Sequence, residues 1–459
     1  MVNPKFSIKK ASMKTYKKLK FVGFSNIESW SAYSILEKGL RFSNKYKLVK
    51  IKTFLSRNKT SIKIEDNNYY KRPTIKINGA GISLRDKVKG KEIGTKSQFL
   101  IKKGQFLLSK IDARNGAFGV VPEELEGGVI TGNFWTFDVN YNVINPYFLQ
   151  LITKTKQFQD LSQSASVGTT NRNYLQEESF LNFSIPLPPL SEQETIVKNY
   201  YDKITQATTY GQQAETLEKN IENYLFEELG VSFQKYELLQ IGKLHFIEFK
   251  EIENWIYNSI EMQFYKDLSK SKFPINTIGD VFDFISRNWE KKANEDKEYI
   301  ELGSIDANFG ILETKTISPE KSPSRATQIV KTGDLIIGTT RPYLKKFAII
   351  DEKYSDFVAS SGFSVIEENK GKYNLYFLNE VIKSDIGIKQ FEIKMTGALY
   401  PAITQTELES LKIPVPPLSK QNEIAATIAT MKQEQKNKIE RATLLKQQAE
   451  QEFEQTIFS

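Results

Sequence analysis

Few side chains in this sequence could carry chemistry. Among 459 residues there is one histidine, His245, and no cysteine. Without cysteine there is no disulfide, no iron–sulfur cluster and no thiolate zinc site. A serine–histidine–aspartate relay would have a single possible base. That base lies in an apolar run with Leu244, Phe246, Ile247 and Phe249, so a structural strand residue is expected there. Gly90-Lys91-Glu92-Ile93-Gly94-Thr95-Lys96-Ser97 has the residue types of a phosphate loop but not its spacing. Such a loop needs four residues between its glycines and a lysine directly after the second. What remains are polar and basic clusters. Lys110, Asp112, Arg114 and Asn115 follow one strand-like apolar run, and Thr339, Thr340, Arg341, Tyr343, Lys345 and Lys346 follow another. A second pair of clusters is Thr169, Thr170, Asn171, Arg172 and Asn173 against Thr396, Tyr400 and Thr404. Arginine can bond guanine bidentately and asparagine can do so with adenine, while lysine commonly holds phosphate. These residue types suit contact with DNA; the plainer alternative is ordinary polar surface loops.

Composition is compatible with that partner and narrows the class. Hydrophobic residues make up 39% and aromatic residues 12%, enough to bury cores, and the formal net charge is +9. A modest basic excess fits a polyanion without proving one. No apolar run approaches the roughly 18–20 residues of a membrane span. Met1 to Lys20 is basic and lacks an apolar core, so a cytoplasmic protein is expected.

The elements that must position the clusters come in two copies. Ile185-Pro186-Leu187-Pro188-Pro189-Leu190-Ser191-Glu192-Gln193 returns 228 residues later as Ile413-Pro414-Val415-Pro416-Pro417-Leu418-Ser419-Lys420-Gln421. Phe21, Phe24, Ile27, Glu28, Trp30, Ser34 and Ile35 return at offset 225 as Phe246, Phe249, Ile252, Glu253, Trp255, Ser259 and Ile260. Gly104-Gln105-Phe106-Leu107-Leu108 matches Gly333-Asp334-Leu335-Ile336-Ile337 at offset 229. In each copy, short apolar runs with Gly and Asn turns predict a strand-rich α/β domain. The prolines stop it, because proline cannot enter a helix interior. Ser191 and Ser419 are then expected N-caps. The helices that follow carry 4,3,4,3 seams. The first is Ile196, Tyr200, Lys203, Ala207, Tyr210, Ala214, Leu217, Ile221 and Tyr224. The second is Ile424, Ile428, Met431, Gln435, Lys438, Ala442, Leu445, Ala449 and Glu452, with Ile439 and Phe453 as apolar shoulders. Paired antiparallel seams account for both helices; two helices each lying on its own domain is the alternative.

At the proline blocks the sequence resembles the specificity subunit of Type I restriction-modification systems. That family has two target-recognition domains, each followed by a long helix announced by a segment like those at 185–193 and 413–421; the Gly-Asp-Leu-Ile-Ile type segment at 333–337 is also typical of it. Gln105 departs from this pattern where copy two has Asp334. The resemblance covers the chain end to end and implies a bipartite, double-stranded DNA target with one half read by each domain. It implies partners as well: two methyltransferase subunits that carry S-adenosylmethionine, and translocase-nuclease subunits that use ATP and Mg. No cofactor, no metal and no membrane are expected for this chain itself.

Comparison of the copies removes rival motifs. Asn145-Pro146-Tyr147-Phe148 hints at the Asn-Pro-Pro-Tyr loop of amino-methyltransferases but lacks the second proline, and its counterpart Tyr373-Asn374-Leu375-Tyr376-Phe377-Leu378 has none. The glycine of Phe21-Val22-Gly23-Phe24 becomes glutamate in Phe246-Ile247-Glu248-Phe249, which no cofactor loop would tolerate. Asp385, Glu392 and Lys394 have no matching set in copy one, so a nuclease triad gives way to surface charge. The expected fold class is therefore mixed α/β, a tandem duplication with domain 1–190, helix 191–229, domain 230–417 and helix 418–459, the helices forming an antiparallel coiled-coil spacer. The expected function is DNA recognition without catalysis. A stand-alone DNA-binding regulator and a coiled-coil adaptor with protein-binding heads are the alternatives.

Overall fold

The computed structural model describes residues 45–167, 173–233, 259–367, 372–397 and 399–458. His245 and the first-copy block at 21–35 lie outside the described residues, as does its second-copy match up to Trp255. The described residues fall into two units, one within Met1–Ala207 and Leu444–Ser459, the other within Thr208–Thr443. The division cuts both long helices.

In the first unit the strands are β1 (Leu48–Lys50), β2 (Leu55–Asn58), β3 (Ser61–Lys63), β4 (Tyr69–Ile75), β5 (Ile82–Lys89), β6 (Ser97–Ile101), β7 (Phe106–Ser109), β8 (Phe118–Val120), β9 (Gly128–Ile130) and β10 (Phe134–Val139). Helices α1 (Pro146–Lys154) and α2 (Lys156–Ser164), the strand pair β11 (Ser166–Val167) and β12 (Tyr174–Leu175), α3 (Glu177–Asn182), β13 (Ser184–Pro186) and the long α4 (Leu190–Leu229) follow. The central sheet has the order β2-β10-β7-β8 and is antiparallel throughout. All four residues of β7 are buried, as its uninterrupted apolar run requires. Phe106, Phe118, Phe137, Phe148, Phe158 and Phe180 fill the core between this sheet and its helices.

The second unit repeats the plan. It contains α5 (Ser259–Leu268), β14 (Ile275–Thr277), α6 (Ile278–Val281), β15 (Phe284–Ile285), β16 (Lys297–Ile300), β17 (Ile305–Asp306), β18 (Gly310–Ile311), β19 (Lys315–Ile317), β20 (Ala326–Ile329), β21 (Leu335–Gly338), β22 (Phe347–Ile349), β23 (Val358–Ser360) and β24 (Phe363–Ile366). Then come α7 (Leu375–Lys383), α8 (Asp385–Lys394), α9 (Gln405–Glu409), β25 (Lys412–Pro414) and the long α10 (Leu418–Phe458). Its central order β15-β24-β21-β22 matches β2-β10-β7-β8 strand for strand, and β14-β25 matches β1-β13.

The glutamine of each proline block explains why that block recurs. Gln193 is fully buried; its Oε1 accepts from the Asn145 amide at 2.9 Å, and its Nε2 donates to the Pro188 and Val143 carbonyls at 2.8 and 3.1 Å. Gln421 repeats the first two bonds, with Asn374 at 2.9 Å and Pro416 at 2.8 Å. Asn145 and Asn374 are in turn the N-caps of α1 and α7. One side chain thus locks the start of the long helix to the start of the helix behind the sheet. Ser191 and Ser419 are not N-caps. The helices begin one residue earlier, and the Pro189 and Pro417 carbonyls accept the first i→i+4 bonds from Gln193 and Gln421 at 3.0 Å each. Helix α4 ends at Gly230 (φ 67°), where Val231 N donates to Phe226 O and Gly230 N to Glu227 O, the double bond of a left-handed C-terminal cap.

Both long helices contribute to the core of each unit. In the first unit Tyr200 of α4 meets Ala449, Phe453 and Ile457 of α10, all buried with the phenylalanine core. In the second, Ile221, Leu225 and Leu229 of α4 lie with Ile424 and Ile428 of α10. The helices run antiparallel within each unit: Tyr200 faces Phe453 in one, while Lys438 bonds Gln213 and Lys420 pairs with Glu228 in the other. The alternative of each helix lying on its own domain is therefore corrected. The seam also ends differently from its sequence pattern. Phe453 occupies the buried position, while Glu452 is exposed and pairs with Lys203, the charged exception of the first seam, at 2.7 Å.

Replacing Gln193 by leucine should leave the Asn145 amide and two carbonyls without their partner and destabilise the first unit by about 1–3 kcal/mol, read as a lowered urea midpoint. A second outcome follows from Lys383, whose ammonium donates to Ala307 O at 3.0 Å. Burial, then the neighbouring Lys432 charge, push its pKa down from 10.5 to about 8. Between those values the unfolded chain binds more protons than the folded one, so this group's contribution makes stability rise with pH from about 8 to 10.5. Lys383→Met should be more stable than the parent at neutral pH and lose that advantage by pH 10, measured by urea titration across the window; a pH-independent difference would contradict the burial argument.

Candidate nucleic-acid interface

Several main-chain bonds of the turn that leaves the buried strand β7 recur after β21. Lys110 N donates to Asn133 O, and Thr339 N to Gly362 O, each at 2.9 Å. Leu175 N donates to Lys110 O, and Ile403 N to Thr339 O. Asn115 N donates to Asp112 O and Leu344 N to Arg341 O; Gly116 N donates to Ala113 O and Lys345 N to Pro342 O, all at 2.9 Å. Both turns are short 3-10 segments, Ala113–Asn115 and Pro342–Leu344. The bond from Leu175 or Ile403 brings the described end of the second candidate cluster, Asn173 in one copy and Thr404 in the other, towards the first. The structure therefore joins in space, within each unit, segments that are about 60 residues apart in the chain.

The side chains on these two turns differ at every position. Where the first unit has Lys110, Asp112, Arg114, Asn115 and Gly116, the second has Thr339, Arg341, Tyr343, Leu344 and Lys345. The Lys110 ammonium lies 5.7 Å from the Trp135 ring centre and 5.8 Å from that of Tyr174. Arg114 is half-buried and Asn115 exposed. Asn173 is half-buried beside β12; Thr169, Thr170, Asn171 and Arg172 lie outside the described residues. In the second unit the Arg341 guanidinium stacks 5.1 Å from the Tyr400 ring centre and its Nη2 donates to Leu399 O at 3.1 Å. Leu399 and Tyr400 are 80% and 71% exposed, an apolar–aromatic pair presented to solvent beside a cation. Thr396 pairs through its main chain with Ala402, which also bridges Thr340. Tyr343 is exposed at the turn. Lys346 turns away from the group, its ammonium bonding the Ile305 carbonyl.

Backbone strain is confined to the second copy of this turn. Gly116 takes the left-handed conformation (φ 75°) at no cost. Its counterpart Lys345 adopts φ 55°, and Arg341 adopts φ 50°. Each is a conformation that side chains disfavour and that clusters at functional sites. Trp135, Tyr174 and Leu399 were not expected at the site. Tyr174 and Leu399 adjoin the candidates Asn173 and Tyr400 in the chain, whereas Trp135 has no such neighbour and reaches Lys110 only through the pairing of β10 with β7.

Groups able to hold a metal ion, with three or more His, Asp or Glu together, do not occur among the described residues, and no described helix is long and apolar enough to cross a membrane. Asp385 opens α8, where its carboxylate lies 3.6 Å from Lys389. Gln105 and Asp334 are equivalent, for both accept a main-chain amide at the turn before the strand, from Lys102 at 2.9 Å and Lys331 at 2.7 Å.

A family model described as Type I restriction modification DNA specificity domain matches residues 43–219 and again 270–446. The chain is 24% identical over 315 residues to the putative type I restriction enzyme MjaX specificity subunit of Methanocaldococcus jannaschii, covering 66% of each chain. It is 23% identical over 334 residues to the MjaVIII specificity subunit of the same organism, covering 69% of this chain and 71% of that one. Its fold is similar to a chain in a solved structure concerned with complex assembly and conformational transition of the type I R-M system, with a TM-score of 0.53, 14% identity, and 90% and 97% of the two chains covered. With two copies of the family's domain matched across well over half of its length, the chain belongs to the Type I restriction-modification DNA specificity family and is a specificity subunit that recognises a DNA target.

Proposed function

We propose that each unit reads one half of a bipartite duplex target through the turn that follows its buried central strand. Lys110, Arg114 and Asn115, with Thr169, Thr170, Asn171, Arg172 and Asn173, serve the first half-site. Thr339, Thr340, Arg341, Tyr343 and Lys345, with Thr396 and Tyr400, serve the second. The observation that carries this reading is the turn itself: a set of main-chain bonds shared by the two units, with different side chains on it. Two scaffolds required to read different bases need that combination, since base-edge hydrogen bonds distinguish sequence while the backbone only positions them. Lys346, committed to a carbonyl within its own unit, is the weakest member of the set.

On this reading the chain is not an enzyme. Methyltransferase subunits, two in number, dock on the paired helices and bring S-adenosylmethionine; translocase-nuclease subunits bring ATP and Mg chemistry. The chain works in the cytoplasm with the duplex as its ligand. The domain division proposed is 1–190 and 230–417 for the readers and 191–229 and 418–459 for the helices.

Two measurements test this. The isolated chain, mixed with duplex and either S-adenosylmethionine or ATP with Mg, should neither methylate nor cleave it; turnover by the pure chain would overturn the non-catalytic role. Arg341→Ala should weaken target binding by about 1–3 kcal/mol and relax specificity at one base position of one half-site. An equal loss on all sequences would make Arg341 a phosphate contact, and no loss would remove it from the interface. Methylation of a library of site variants by the reconstituted complex separates these results.

A further inference from the structure

The ribbon formed by β4 and β5 has a charge that the repeat does not predict. From Tyr69 to Lys89 it carries Lys71, Arg72, Lys76, Arg85, Lys87 and Lys89 against the single acid Asp86. The corresponding segment of the second unit, Lys297 to Ile317, carries Lys297 and Lys315 against Glu298, Glu301, Asp306 and Glu313. The two segments are structurally equivalent: β16 pairs with β19 as β4 does with β5, and Tyr70 and Tyr299, 229 residues apart, are both buried. The scaffold is repeated and the sign of its charge is inverted.

The positive charge is gathered on one face. Pairing register sets Tyr69 opposite Lys89 and Lys71 opposite Lys87, while Tyr70 and Val88, on the other face, enter a small core. The Lys87 and Lys89 ammonium groups lie 5.7 and 5.5 Å from the ring centre of Tyr69, which is 57% exposed. Among the described residues none of these three lysines forms an ion pair; Lys71 donates only to the Glu126 carbonyl, at 3.3 Å. Like charges directly opposite across a strand pair destabilise it. The arrangement therefore carries a cost that a polyanion on this face would relieve. In the second unit the Glu298 carboxylate accepts from the Thr314 and Thr316 hydroxyls, leaving an acidic face that would repel the same ligand.

The ribbon is also anchored to the reading turn. At its tip, Asn78 N donates to Asn115 O at 2.7 Å and Gly79 N to Gly116 O at 2.9 Å. From Asn78 at that tip the chain runs back to Lys71, about 23 Å at 3.3 Å per residue, or roughly seven base pairs of duplex.

We propose that the Tyr69, Lys71, Lys87 and Lys89 face is a phosphate-binding surface that extends the first unit's grip onto DNA flanking its half-site, and that the second unit has no such contact. This rests on the reading that the turn at 110–116 faces DNA. The surface adds affinity and carries no base information, so the complex holds its target asymmetrically.

The test is equilibrium binding of the full chain to a mixed-sequence duplex of about 40 base pairs, from roughly 50 to 200 mM salt. Each lost phosphate contact lowers the slope of log K against log salt by about 0.9. The triple variant K71A/K87A/K89A should lose about 2–3 units of slope, K71R/K87R/K89R should retain it, and K297A/K315A in the second unit should leave it unchanged. If the wild-type chain binds and the alanine variant keeps the full slope, the inference falls while the DNA-reading function stands. If the arginine variant loses as much as the alanine one, the effect is local folding and the inference falls. If binding is unchanged but recovery with the methyltransferase subunit is lost, the face docks protein and the inference falls. A wild-type chain with no salt-dependent duplex binding would remove the reading and the inference together.

Discussion

Neither strand-rich region closes its core with its own segment of chain. Phe148 of the first unit packs against Phe453, more than 300 residues away in sequence, with Ala449 and Ile457 beside it. Ile221, Leu225 and Leu229 enter the core of the second unit in the same way. Deleting a buried aromatic side chain of this kind costs about 3–5 kcal/mol, a large fraction of a domain's net stability. The two long helices are therefore structural members of both units. The ion pairs along them, Lys203–Glu452, Lys154–Glu450 and Lys420–Glu228, are partly exposed, so their worth lies more in register than in stability.

Given closed cores, the turns proposed to read DNA can be rigid in backbone and free in decoration. Much of the turn after β7 is held by main-chain bonds within its own unit, and several of them recur after β21. Side chains on such a turn can change without disturbing the sheet, which is what a recognition surface requires. Lys345 keeps the left-handed conformation that Gly116 allows in the first copy, whereas Arg341 takes φ 50° where its counterpart Asp112 has φ −101°. The β4–β5 ribbon extends the principle from single residues to a whole element, with geometry kept and charge reversed.

The glutamines at 193 and 421 show how much a short motif can specify. Proline dictates where the helix cannot be, but it is the buried amide, satisfied on both its oxygen and its nitrogen, that fixes the direction in which the helix leaves. The serines were the obvious capping residues by type. They lost that role because the prolines already place a carbonyl where the first helical bond is needed.

The duplication, the two long helices, the apolar strands at 106–109 and 335–338 and the grouping of cations just after them were all legible in the sequence, since each is a local pattern or a recurrence of one. The seam was legible for most of its length because a 4,3 spacing is set by helix geometry alone. Its end was not. Whether Glu452 or Phe453 faces inward depends on what lies opposite, and Phe148 and Tyr200 decide it. The sharing of each helix between both cores, the meeting of Lys110 with Trp135 and Tyr174, and the stacking of Arg341 on Tyr400 belong to tertiary structure in the same sense. They join residues whose separation in the chain has no period, and only the pairing of strands and the closure of cores brings them together.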